Sequence, residues 1–112
     1  MGDLGSHWCD LAQFASGLKI TQVMAELRTI LPKRKRPKSK ETLTFSVASD
    51  IEYEDVDIPL DEYGAMLLRF SNGATGTFTT SQLAAGRKSE IDLQIYGSNG
   101  SIAWNQERSA EL

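Results

Sequence analysis

A chain of 112 residues is one domain by default and is long enough to bury a core. Its hydrophobic share of 40% and charged share of 24% exclude wholesale disorder, and a net charge of −3 argues against a dedicated nucleic-acid binder. The single cysteine, Cys9, excludes an intrachain disulfide framework and a cysteine-based zinc site, and no apolar run reaches membrane-spanning length, so the cytoplasm is the expected location.

From Asp3 to Ala15 the apolar residues Leu4, Trp8, Leu11, Ala12 and Ala15 recur at the spacing of an amphipathic helix. Asp3 suits its positive N-terminal end and Gly17 its stop. Asp3, His7 and Asp10 project along one edge of the apolar stripe, with Phe14 nearby. A carboxylate one turn from an imidazole fixes its orientation and supports the charge it takes on, which suits a general base. On spacing alone, however, D-x-x-x-H reads first as a helix-start acid followed by a boundary histidine. A metal site is weaker still, because this is the chain's one histidine. Gly5, in the first turns, costs roughly 1 kcal/mol relative to alanine, and such a glycine commonly marks a close approach by another group.

Ile20 to Leu31 reads as a strand with Val23, Ala25, Leu27 and Thr29 on one face. Lys33 to Lys40 then holds six of the twelve basic residues, and Asp50 to Glu62 holds seven acidic ones. The two blocks read as a long solvated connection whose charges partly offset each other, with a short strand at Thr42 to Ala48 between them. A nuclear-localisation or phosphate-binding role is the other reading of the basic run.

Tyr63 to Phe70 alternates as a strand, and Asn72-Gly73 signals a hairpin of the type I′ kind, in which both central residues take φ > 0. The returning strand, Ala74 to Gln82, places Ala74, Gly76 and Phe78 on one side and Thr75, Thr77, Thr79 and Ser81 on the other. That threonine face is solvent-exposed or lies in a sheet contact between subunits. A loop follows from Ala84 to Ser89, then a strand through Ile91, Leu93 and Ile95, a tight turn at Ser98-Asn99-Gly100, and a final strand with Ile102 and Trp104. The expected architecture is α+β: an N-terminal helix packed on an open, mainly antiparallel sheet of four to five strands. No dinucleotide, P-loop or nucleophile-elbow glycine pattern is present.

The opening GDLGSHWCDLAQFASG and the later YGAMLLRFSNGATGTFTTSQLAAGRKSEIDLQIYGSNGSIAWNQE, in that order, resemble the Gfo/Idh/MocA family of NAD(P)-dependent oxidoreductases. The similarity covers nearly the whole chain apart from the charged connection, about Lys33 to Pro59. It implies a partial C-terminal domain, residues 1–112, whose N-terminal Rossmann domain lies outside this chain. It implies further that His7 takes the hydroxyl proton as hydride leaves the same carbon, and that Asp3 orients the substrate and supports the histidine. By the same resemblance Arg87 and Lys88 reach a substrate or a neighbouring subunit. NAD or NADP belongs to the full-length protein, so no cofactor and no metal is expected in this chain, and the chain alone is expected to be inactive. The implied partners are the Rossmann domain, a small carbohydrate-like substrate (sugar or polyol) and a second copy meeting the sheet face, with neither nucleic acid nor membrane. The alternative is a non-catalytic sheet module for self-association or ligand binding.

Overall fold

The computed structural model describes residues 2–38 and 52–111. Helix α1 spans Gly2–Ser16 and buries Gly5 and Ala12, with Leu4, Trp8 and Leu11 partly covered beside them. The covered face runs Gly5–Trp8–Ala12–Ser16, which leaves Ala15 exposed although its spacing placed it in the stripe. Gly17 ends the helix in a left-handed conformation, φ 68, its N–H donating to the Gln13 carbonyl at 2.9 Å. The Gln13 side chain then accepts from the Ile20 N–H at 3.0 Å and hands the chain into the sheet.

Seven strands follow among the described residues: β1 (Ile20–Arg28), β2 (Lys33–Pro37), β3 (Tyr53–Asp57), β4 (Tyr63–Phe70), β5 (Thr75–Ser81), β6 (Asp92–Gly97) and β7 (Gly100–Asn105). The α+β architecture holds, with every ladder antiparallel. The pairing is divided, however, into a three-stranded sheet in the order β1-β4-β5 and two two-stranded ladders, β2-β3 and β6-β7. The core is small: Ala12, Leu68, Phe78 and Leu93 are its buried apolar side chains among the described residues. Trp8 lies over it, its ring stacked on Phe78 with centroids 4.4 Å apart.

Three sequence expectations are corrected. The solvated connection after Lys33 is a ribbon over its first part, Lys33–Pro37 lying antiparallel to Tyr53–Asp57. The two charge blocks pair across it. Arg36 Nε donates to Glu54 at 2.9 Å and Lys38 Nζ to Glu52 at 3.0 Å. The strand expected at Thr42 to Ala48 lies outside the described residues. The first strand stops at Arg28 rather than Leu31, because the Ile30 and Leu31 N–H groups go to a side chain, Glu62, instead of a neighbouring strand.

The third correction is the turn at Asn72-Gly73. Phe70 pairs with Ala74 across a three-residue loop, and the Gly73 N–H donates to the Phe70 carbonyl at 3.0 Å. Gly73 is left-handed, φ 88, whereas no non-glycine residue has positive φ among those described, so Asn72 does not make a type I′ turn. Its Oδ1 instead accepts from the Ala74 N–H at 3.0 Å, bracing a right-handed turn that ends in a left-handed glycine.

Candidate functional site

The exposed edge of α1 carries Asp3, His7, Asp10 and Phe14 at intervals of four, three and four residues, so they form one strip. His7 Nε2 lies 3.5 Å from Asp3 Oδ1, with the two side chains 67% and 80% exposed. Phe14 is 86% exposed. The strip is held because the opposite face of α1 is fixed: Trp8 stacks on β5, and its indole N–H donates to the Asp92 carbonyl of β6 at 3.0 Å. The helix start thus offers an acid and an imidazole side by side, facing outward. That arrangement can orient a hydroxyl and accept its proton.

Arg87 and Lys88 follow a turn in which Gly86 is left-handed, φ 84, and the Arg87 N–H donates to the Ala84 carbonyl at 3.0 Å. Arg87 Nη1 is tied to Glu90 at 2.7 Å, and Asn105 Nδ2 donates to the other Glu90 oxygen at 2.9 Å. The Asn105 amide, then the Arg87 guanidinium, hold the Glu90 carboxyl below the usual carboxylate range. Arg87 and Lys88 line a broad groove with Leu4, Trp8 and the strands β5 and β6, a groove that Asp3 and His7 do not line. Among the described residues no hydrogen bond or ion pair joins the two candidate pairs. The structure brings Asp3 to His7 and does not bring Arg87 or Lys88 to them.

One charged residue the sequence reading passed over is the most buried side chain described. Glu62, 2% exposed, accepts from the N–H groups of Ile30 at 2.9 Å and Leu31 at 2.8 Å and pairs with the Arg34 guanidinium of β2. Its own N–H donates to the Arg28 carbonyl at 3.0 Å, and its carbonyl accepts from Gln82 at 2.9 Å. Glu62 therefore ties β1, β5 and the ribbon at one corner. The Leu31 N–H, with Arg34 next, holds its carboxyl below the usual range against the opposing effect of burial. Its only sequence signal is an acid placed directly before an apolar strand.

Cys9 sits on the partly covered side of α1, and burial pushes its thiol up, away from a reactive thiolate. Among the described residues no three His, Cys, Asp or Glu side chains group as metal ligands, and no helix is long and apolar enough to cross a membrane.

The sequence model of the GFO/IDH/MocA C-terminal domain matches residues 1–103. The chain is 31% identical over its whole length to a levoglucosan dehydrogenase of Pseudarthrobacter phenanthrenivorans, of which it spans 28%. A crystal structure of an oxidoreductase domain protein from Kribbella flavida superposes on 95% of the chain with a TM-score of 0.79 and 36% identity, and the chain covers 26% of that protein.

Proposed function

The chain belongs to the Gfo/Idh/MocA family, matching its C-terminal domain, and on that premise we propose that it is the substrate-binding and oligomerisation part of an NAD(P)-dependent dehydrogenase or reductase. The substrate class is a sugar, polyol or related hydroxy compound, and the likeness to a levoglucosan dehydrogenase supports it. The observation that carries the reading is the outward-facing pair Asp3 and His7 on the exposed edge of α1.

In this reading His7 takes the substrate hydroxyl proton on Nδ1, the ring nitrogen turned away from Asp3, as hydride leaves the carbon bearing that hydroxyl. Asp3 keeps the ring oriented through Nε2 and supports the imidazolium that forms. The nicotinamide, when bound, supplies the hydride acceptor. Nothing in residues 1–112 offers the glycine-rich phosphate cradle such a cofactor needs, so its grip falls to the part of the parent outside this chain. What fits it here is an acid–base edge left open to a facing domain. Arg87 and Lys88, in the groove rather than on that edge, belong to the remoter side of the substrate or to a neighbouring subunit.

The test is His7→Ala in the full-length protein. Turnover falls by about 10²- to 10⁴-fold while NAD(P) affinity is unchanged, because general-base catalysis is worth that much and the side chain holds no part of the core. Unchanged turnover removes His7 from the mechanism. The 112-residue chain alone turns nothing over.

A second reading, a sheet module used for self-association without catalysis, is favoured by the outer face of the β1-β4-β5 sheet. Met24 is 71% and Leu67 55% exposed there, beside Thr77.

A further inference from the structure

The β2–β3 ribbon is sorted by charge. Lys33–Pro37 carries four basic side chains and a proline, and Tyr53–Asp57 carries Glu54, Asp55 and Asp57. The bonds from Lys38 N–H to the Glu52 carbonyl at 3.0 Å and from Ile58 N–H to the Pro32 carbonyl at 2.8 Å set its alternation. Arg34 and Arg36 therefore exchange backbone bonds with Val56 and Glu54, and the pairs Lys33–Asp57, Lys35–Asp55 and Pro37–Tyr53 lie between those bonds. Successive side chains alternate sides, so the ribbon has two unlike faces. One face is closed within the chain: Arg34 pairs with Glu62, Arg36 with Glu54 and Lys38 with Glu52. The other sets Lys33, Lys35 and Pro37 against Asp57, Asp55 and Tyr53, all exposed except the half-buried proline. Each lysine there stands directly across from an aspartate, yet among the described residues none of these four charges joins an ion pair.

A polyanion lying along the basic strand would meet Asp55 and Asp57 on the strand beside it. A second copy of the ribbon meets no such conflict, but in one symmetric arrangement only. Two-fold pairing edge to edge sets a strand beside its own copy, basic against basic or acidic against acidic, and like charges oppose it. Stacking face to face about a two-fold axis across the strands also sets like over like. About an axis running along the strands, each strand lies over the other strand of the copy. We propose that the open face of the β2–β3 ribbon stacks on the same face of a second copy in this last arrangement, held by lysine–aspartate pairs between the copies. Such an axis adds no shift along the strands, so the ladder register carries over. Lys33 faces Asp57 of the second copy, Lys35 faces its Asp55 and Pro37 faces its Tyr53, each twice by symmetry. Lysine and aspartate side chains together bridge the roughly 10 Å between packed sheet faces. The strands are only five residues long, so the contact falls short of the about 1,200 Å² that a stable interface buries. It fixes which way two copies meet and leaves most of the adhesion to another surface. The inference deepens the oligomerisation part of the proposed function and is independent of the roles given to Asp3 and His7.

Charge reversal in the full-length protein, followed by sedimentation equilibrium at low salt, tests it. One variant carries Lys33→Glu with Lys35→Glu, and the other carries Asp55→Lys with Asp57→Lys. Each alone self-associates at least tenfold more weakly than the unaltered protein, because several exposed pairs turn from attraction to repulsion. An equimolar mixture of the two recovers the association, since opposite charges again lie over each other at every position. Mixing cannot mend a ribbon spoiled from within, because each chain keeps its own like-charged pair of strands. At about 1 M salt, where the Debye length is about 3 Å, the difference between the variants and the unaltered protein disappears. Unchanged association in both variants overturns the proposal. Weakened association that does not recover on mixing also overturns it, since the loss then lies inside each ribbon. A full-length protein that is monomeric when unaltered overturns the oligomerisation part of the proposed function along with this contact, whereas a dimer indifferent to the four substitutions overturns the contact alone.

Discussion

Glu62 accepts two consecutive backbone N–H groups and a guanidinium within one buried corner, so its charge is part of the fold. Its carboxyl is held below the ordinary value near 4.5. The sign follows: the stabilisation is fully present above the unfolded value and is lost as pH falls through the lower, folded one. Acid titration of the fold is therefore expected to show a stability loss below about pH 4.5, and Glu62→Gln, which keeps an acceptor but loses the charge, flattens it. Circular dichroism melts across that range measure this. An equally steep loss in the variant would show that other carboxylates carry the acid sensitivity. Glu62 is hard to read in the sequence because it stands last in an acidic run that includes the exposed Glu52, Asp55 and Asp57, and its partners lie 28 to 32 residues away. The Asp3–His7 pair was legible because both residues lie on one helix, where spacing fixes proximity.

Helix α1 is coupled to two separate ladders through one side chain, Trp8, which stacks on Phe78 of β5 and donates to Asp92 of β6. Trp8→Phe keeps a stacking ring and loses the hydrogen bond, for an expected cost of about 1 kcal/mol. Trp8→Ala also loses the stacking and leaves space above the core, for about 3 kcal/mol. Urea unfolding followed by circular dichroism distinguishes them, and equal costs would show that the indole N–H alone matters. The β4–β5 hairpin depends on Gly73 at φ 88, where an added Cβ meets nothing within 4 Å, so the cost of Gly73→Ala is purely conformational. It is expected to be about 1–2 kcal/mol in the same measurement. Both strands of this hairpin were legible from period-two alternation. The turn type was not, because Asn-Gly fits more than one hairpin loop and the pairing of Phe70 with Ala74 decides between them. The β2–β3 ribbon has the sequence pattern of a loop for a related reason: its strands show no apolar alternation, and cross-strand charge pairs stabilise it instead.

At the scale of the molecule, the radius of gyration is 18.7 Å, against about 13 Å for a compact domain of roughly 100 residues. Apolar surface is accordingly left uncovered on the outer face of the β1-β4-β5 sheet, where Leu67 lies between Met24 of β1 and Thr77 of β5. Together they make a flat strip of apolar and hydroxyl side chains, a pattern suited to a two-fold contact in which the same surface meets itself. Arg69 and Glu26 flank the strip on neighbouring strands and would lie at its polar rim. If this face carries the oligomerisation part of the proposed function, Leu67→Lys places a charge at the centre of the contact and weakens self-association at least tenfold. Because Leu67 points away from α1 and the core, its melting should match that of the unaltered chain. Sedimentation equilibrium over a wide concentration range reads the first quantity and circular dichroism the second. An unaltered chain that stays monomeric at the highest concentration would instead assign this face to cover supplied by the rest of the parent protein.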